Sequence, residues 1–306
     1  MARYLATRIG FGLLTIFCVI LFTFLLMFVV PGDPAQTIAG PRATPQILAL
    51  VRSNLHLGEP VLVQLGHYLG GIVHGDFGVS YVQRESVSSI IGGRLPATAE
   101  LGLAGLLLEL ILGGAFGVWD GLREKRSRLL AVVNVGFLSV PSFSLAFVLL
   151  LLFGYEFSLF PIDGGTGGDR IVLPALTLGL FGMPYYANVV RDAMQETLAA
   201  PYTRTAVAKG LPRREVLRRH VLRNALSPAL TMAGLDFAIL LSGVVFVETV
   251  YDWPGIGQLQ TQAFYNVDRP VLMGTVVVAA VLVVVATLAI DLLRMGLDPR
   301  TRLSAR

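Results

Sequence analysis

The sequence predicts an all-α integral membrane protein with six transmembrane helices and a large extracytoplasmic segment after the first. Three observations carry that prediction. Hydrophobic residues fill 54% of the 306 positions and charged ones only 14%, with a mean hydropathy of +0.70, too apolar for a soluble domain of this length. Six stretches reach the roughly 20 apolar residues that a helix needs to cross a bilayer: 9–30, 97–119, 129–153, 171–190, 229–250 and 271–293. The 24 Lys and Arg divide unequally, eighteen in one alternating set of aqueous segments and six in the other. The basic side faces the cytoplasm, which places both termini there, as an even number of crossings requires.

The first stretch follows Arg3 and Arg8 and runs to Val30. That is longer than the apolar core of a cleaved signal, about 7–15 residues, and no small-x-small site follows, so 1–30 reads as a retained anchor. Cys18, the only cysteine, lies within it, which excludes an intrachain disulfide and a thiolate metal cluster. Residues 31–95 then form the largest outer segment. Thr44-Pro45 is a helix start, with Ile47, Leu48, Leu50, Val51 and Leu55 as its apolar stripe. A second helix begins at Pro60 and places Val61, Leu65, Tyr68, Leu69 and Ile72 on one face, ending at the turn Gly75-Asp76-Phe77-Gly78. Two compatible readings stand for this segment: a cap packed on the mouth of the bundle, and part of a docking surface for an outside partner.

In the second span Gly113, Gly117 and Gly121 make a small-residue face, equally suited to packing within the subunit or against a sister subunit. The fourth is broken by Pro174 and Pro184, which neighbouring helices can accommodate. Ionisable residues at membrane depth are functional candidates. Glu100 and Asp291 lie near span ends and reach water; Glu109 and Asp236 are deeper, and serve as polar glue between helices or as lining of a pathway. The last outer loop, from Glu248 to Leu259, contains Trp253-Pro254-Gly255 and Gly257, a tight turn. Its plain reading is a re-entrant structural turn, with Tyr251 and Trp253 at the membrane interface. Asp268 and Arg269 then form a local charge pair ahead of the sixth span.

Signals for chemistry are negative. The chain has no GxxxxGK[ST] loop for ATP, and none of its four histidines makes an HExxH pair. The spans offer no Ser-His couple, and Asp76-Phe77-Gly78 lacks the other kinase segments. No catalytic residue, metal site or cofactor is expected of this chain. Its pI near 9.4 reflects cytoplasmic loops beside anionic head groups, not nucleic acid.

The cytoplasmic loop 191–228 is basic and reads as helix, glycine break, helix. Pro201 starts the first, Ala206 and Ala208 present small side chains, and Gly210 ends it. Arg213 to Arg223 resumes with Val216, Leu217, Val221 and Leu222 on an apolar side. Charge alone suits a helix lying on anionic lipid. The Ala-x-x-x-Gly spacing followed by Arg223-Asn224-Ala225-Leu226-Ser227-Pro228 favours a helix docked in another protein's groove.

That loop resembles the EAA-type coupling motif of ABC importer permeases. Tyr202, Thr205, Ala206, Ala208, Lys209, Gly210 and Leu211, with Leu222 to Leu226, are similar to the dipeptide, oligopeptide and nickel branch. Further blocks agree: Pro31-Gly32-Asp33-Pro34, Gly75 to Gly78 with Ser80, Ser139 to Phe143, Glu248-Thr249 with Trp253-Pro254-Gly255-x-Gly257, and Leu297 to Arg300. The early Pro-Gly-Asp-Pro and the long first outer segment resemble the B-type permease. Arg204 stands at the glutamate position of the motif, Glu85-Ser86-Val87 replaces a usual Pro-Val, and Thr287 and Arg294 replace the Asn and Tyr flanking Asp291. These departures bear on cargo more than on family.

The resemblance implies a type I importer permease in the bacterial plasma membrane, with one permease domain over 1–306. Its core helices lie in 96–293 and its cytoplasmic tail in 294–306. It implies a half-pore paired with a homologous C-type permease, resting on two cytosolic ATPase subunits that bind ATP and magnesium, and fed by an extracytoplasmic substrate-binding protein. Tyr202, Thr205, Ala206, Lys209, Gly210 and Leu211 would couple to an ATPase; Trp253, Pro254, Gly255 and Gly257 would belong to the binding-protein face. Glu109 and Asp236 are the pathway candidates. Di- and oligopeptides are the first cargo implied, with nickel chelates, glutathione and haem as alternatives. A stand-alone secondary transporter or channel is the competing class; such proteins show inverted repeats around a midplane site, and no internal repeat is evident here.

Overall fold

The computed structural model describes residues 2–29, 35–36, 44–54, 58–123, 125, 127–241 and 244–297. The Pro31-Gly32-Asp33-Pro34 block, Leu55 and the ending from Asp298 lie outside them. Apart from one isolated bridge between Val79 and Ser86, the described residues carry only helices and connecting turns.

The helices in chain order are α1 (Ala2–Val29), α2 (Pro45–Asn54), α3 (Val61–Val73), α4 (Val87–Gly121), α5 (Arg128–Ser139), α6 (Ser142–Glu156), α7 (Val172–Ala199), α8 (Pro201–Ala208), α9 (Arg213–Leu241), α10 (Val245–Val250), α11 (Ile256–Tyr265) and α12 (Arg269–Leu297). Among the described residues four helices are long and apolar enough to cross a membrane: α1, α4, α9 and α12. A fifth crossing arises if α5 and α6 count as one, bent by 97°. The bend falls at Val140-Pro141, where proline removes a backbone donor and disfavours helix in the residue before it. The predicted fourth span falls on α7, which is long enough but dilutes its apolar residues with Gly, Pro, Tyr and Asn.

Four boundaries differ from the sequence reading, one of them in the expected fifth span 229–250, which is divided between α9, ending at Leu241, and α10, starting at Val245. Helix α4 begins at Val87, well before the expected 97, because Val87, Ile90 and Ile91 are buried against Ile256, Leu259, Ala263 and Val271. Helix α7 continues past residue 190 to Ala199. The stretch expected as a separate short cytoplasmic helix from Arg213 is the first part of α9, which passes through a π-helical segment at Leu217–Leu222 before reaching its apolar half. An apolar run marks only the membrane portion of a helix, so polar extensions escape it.

The chain divides into two compact units. The first holds residues up to Thr98, 241–245 and those from Pro254 onward. Here α1 packs along α12; a Cβ at Gly12 would stand 2.7 Å from Val284. Helices α2 and α3 both start where Thr44-Pro45 and Pro60 predicted. On α3, Leu65, Tyr68, Leu69 and Ile72 are half-buried while Val61 is exposed; Tyr68 stacks on Phe24 with ring centroids 6.0 Å apart, and Leu65 and Tyr68 pack beside Met273. The turn after α3 closes as an Asx turn: Gly78 N–H donates to Asp76 Oδ1 at 2.8 Å, with Gly75 and Gly78 in the left-handed region.

Asp268 is buried and holds the next turn. Its carboxylate accepts from the Ser80 hydroxyl, from Tyr81 N–H at 3.1 Å and from Val82 N–H at 3.3 Å. The local pairing expected with Arg269 therefore understates Asp268, whose two oxygens reach back across the chain. Burial pushes the neighbouring Tyr81 phenol up to about 12.

The second unit holds 99–240 and 246–253, that is the rest of α4 with α5 to α8, most of α9 and α10. The glycine face of α4 lies against α7. A Cβ at Gly113 would meet Tyr186 Cβ at 2.5 Å and Met183 O at 2.7 Å, and one at Gly117 would meet Ala187 O at 2.6 Å. The small-residue face thus serves packing within the subunit. In the loop before α7, Arg170 pairs with Asp163 at 2.6 Å, and this hydrogen bond holds the Asp163 carboxyl below its ordinary range.

Candidate functional site

Helix α8 is short and has two distinct faces. Thr203 and Ala206, three residues apart, are buried, and the Thr203 hydroxyl donates to Thr197 O at the end of α7 at 2.7 Å. Tyr202, Thr205 and Lys209, along a stripe that flanks the buried one, are exposed, as is Gly210; Tyr202 keeps 46% of its surface. Ala206 was expected to present its methyl to a partner and instead faces its own chain, while Ala208 is outward. Leu211 is half-buried.

The helix ends in a Schellman turn. Gly210 N–H donates to Val207 O at 2.9 Å and Leu211 N–H to Ala206 O at 3.4 Å, with Gly210 at φ +79°. A glycine suits that left-handed position, and a Cβ there would meet only open space. The Asn224 amide donates to Tyr202 Oη at 3.3 Å and to His220 O at 2.8 Å, so the start of α9 steadies α8. Beyond, Arg218, Arg219, His220, Arg223 and Asn224 line a basic groove of about 930 Å³.

The outer turn is arranged otherwise. Trp253 is 1% exposed, Gly255 and Gly257 are buried, Pro254 is half-buried, and Asp252 is the exposed neighbour. Trp253 N–H donates to Glu248 O at 2.9 Å, closing the end of α10. Tyr251, expected at the membrane interface, is buried: its hydroxyl donates to Ala146 O at 3.0 Å and shares a hydrogen bond with Thr177 at 2.9 Å.

Glu109 and Asp236 come together. Glu109 on α4 is 4% exposed, its Oε2 has no hydrogen-bond partner among the described residues, and it lies close to Asp236 on α9. Tyr186 of α7 donates from its hydroxyl to Asp236 Oδ2 at 2.9 Å. Gly182 makes room for the Glu109 carboxyl, which a Cβ would overlap. The cluster joins three helices and can hold a proton or pair with a cation. Tyr186→Phe removes the donor to Asp236 and is expected to destabilise the protein by about 1 kcal/mol; an unchanged melting midpoint in detergent would contradict this.

A second polar cluster was not anticipated. Asp120, fully buried near the end of α4, accepts from Arg191 Nε at 2.8 Å and from Ser127 N–H at 2.9 Å. Gln195, one turn along α7, donates to Gly121 O at 2.6 Å and Arg123 O at 2.7 Å. The sequence signal is an acid one residue before the last glycine of the Gly113-Gly117-Gly121 series, where the helix must turn.

Among the described residues no group of three or more His, Cys, Asp and Glu could hold a metal ion. Residues 110–303 match the family described as binding-protein-dependent transport system inner membrane component, and residues 1–102 match its N-terminal family. The chain is similar to the glutathione transport system permease protein GsiC of Escherichia coli (strain K12), 35% identical over 304 residues that cover 99% of both chains. The GsiC proteins of Salmonella typhimurium (strain LT2) and Shigella flexneri serotype 5b (strain 8401) match with the same identity and coverage.

Proposed function

The chain belongs to the inner membrane components of binding-protein-dependent transport systems, the ABC importer permeases of the dipeptide, oligopeptide and nickel type, and we propose that it forms one half of an ATP-driven import pore. It crosses the bacterial inner membrane six times with both termini inside, α7 supplying the crossing that hydropathy alone underrates. Residues 31–95 lie outside. A homologous C-type permease supplies the other half, two cytosolic ATPases bind ATP and magnesium, and an extracytoplasmic binding protein delivers cargo, with the turn around Trp253 to Gly257 supporting the outer face it meets.

One observation carries the coupling role: α8 is pinned to α7 through Thr203 and leaves Thr205 and Lys209 exposed, with the Tyr202 ring exposed beside them and its hydroxyl held by Asn224. A helix fixed on one face and free on the other can take a push from a partner and pass it on without slack. ATP-driven closure of the ATPases moves α8, and the spans switch between outward and inward access. Glu109 and Asp236 line or brace the path.

The cargo is a short peptide or a peptide-like molecule. Relatives named for glutathione transport, matched end to end, support glutathione, itself a tripeptide, above nickel chelates or haem. Uptake of labelled glutathione and of a dipeptide by the reconstituted complex separates these cargoes.

Gly210→Trp tests the coupling. The left-handed position costs a non-glycine residue about 1–2 kcal/mol, too little to prevent membrane insertion, while the indole stands on the partner face. The assembled complex is expected to hydrolyse ATP with little uptake; wild-type uptake would overturn the role assigned to α8.

A further inference from the structure

Helix α8 can act on the pore only through what holds it. Its attachment to α7 is the Thr203 hydroxyl on Thr197 O, and α7 in turn is fastened to α4 in two ways. Along the apolar length, Gly113 and Gly117 bring the two backbones into contact. At the end beside α8 the fastening is polar: Arg191 and Asp120 form an ion pair with 14% and 0% exposure, and Gln195 binds Gly121 O at the end of α4 and Arg123 O just beyond it. Ser127 N–H on the second Asp120 oxygen draws in the segment leading to α5.

We infer that the Asp120–Arg191 pair, with Gln195, is the clamp that makes α4 and α7 move as one body when α8 is pushed. Asp120, Arg191 and Gln195 are positioning residues for coupling. The inference rests on the proposed role of α8 as the ATPase contact. An ion pair suits this place because each end makes one further bond: Asp120 also accepts from Ser127 N–H at 2.9 Å, and Arg191 also donates to Asp192 at 3.0 Å. The pair is therefore directional, unlike the apolar contacts above it, which permit sliding. Gln195 closes Gly121 O, a carbonyl that the helix end leaves without an intrahelical partner, so α4 terminates on α7 instead of in water.

The test uses the full complex with its ATPases and binding protein, reconstituted in vesicles, and reads labelled glutathione or labelled dipeptide taken up per ATP hydrolysed. Asp120→Ala should assemble and hydrolyse ATP while that ratio falls about tenfold, within the range of coupling free energies between sites. Arg191→Lys, which keeps the charge but loses the guanidinium fork, and Gln195→Ala should each lower it several-fold. A purely structural role would reduce the amount of assembled complex and leave the ratio unchanged; that result in all three variants overturns the clamp. Failure of all three to assemble overturns it too, since the cluster would then serve folding alone. If instead the wild-type complex contains no ATPase or shows no ATP-driven uptake, the importer reading itself fails, which is a distinct outcome.

Discussion

Replacing Gly117 with leucine is expected to separate α4 from α7 and to destabilise the protein by about 3 kcal/mol, the upper range for forcing volume into a packed interior. A Cβ at this position would stand 2.6 Å from the Ala187 carbonyl oxygen and 2.8 Å from Val190 Cβ. Neither can swing aside, because one is main chain and the other is anchored directly to it. Gly114 provides the control within the same helix turn, where a Cβ would meet nothing within 4 Å. Gly114→Leu should keep a near-native melting midpoint and yield in detergent, whereas Gly117→Leu should lose both. Equal behaviour of the two would show that the glycine face does not seat α7.

Asp268→Ala has the second large effect, in the other compact unit. It leaves the Ser80 hydroxyl and the Tyr81 and Val82 N–H groups without their carboxylate acceptor. The Ser80 hydroxyl is buried, and stranding such a donor costs about 1–3 kcal/mol, while the part-buried Tyr81 and Val82 N–H groups lose less, so the turn at 80–82 should open even if the helices remain. Hydrogen exchange at Tyr81 and Val82 should accelerate strongly, and Asp268→Asn, which keeps one carbonyl acceptor, should fall between. Unchanged protection of the two amides in the alanine variant would remove Asp268 from this role.

Long apolar runs made α1, α4 and α12 legible in the sequence, since burying twenty such residues has few solutions in a bilayer. Local capping chemistry made α2 and α3 legible, down to their prolines. The bend at Pro141 was visible as a residue but not as an angle: hydropathy averages over the very position where the helix breaks. Helices α7 and α9 extend past their apolar cores, and nothing in an apolar pattern marks where a polar extension stops.

The site was legible in part. The spacing of Tyr202, Thr205 and Lys209 is one helical stripe, and the structure keeps it exposed. Ala206 lies a single residue beyond Thr205, which turns it about 100° round the helix into its own chain. Trp253 illustrates a different gap, because a conspicuous aromatic beside a Pro-Gly turn suits an interface and a core equally well, and its burial depends on distant residues. Glu109 and Asp236 each stood out as acids at membrane depth, but their proximity, with Tyr186 donating to Asp236, required the tertiary fold. Asp120 and Arg191 are 71 positions apart, and Arg191 is one of many basic residues in a segment that the sequence reads as a basic loop.

The central claim is that the free face of α8 meets an ATPase. The most direct measurement is site-specific cross-linking in membranes that contain the co-expressed ATPases, with cysteine at Thr205 or Lys209 and, as the control, at the exposed Leu103 of α4. Adducts with the ATPase from both α8 positions, and none from Leu103, are the predicted result. An α8 cysteine that remains accessible to a soluble thiol reagent in the assembled membrane, with no ATPase adduct, would contradict it.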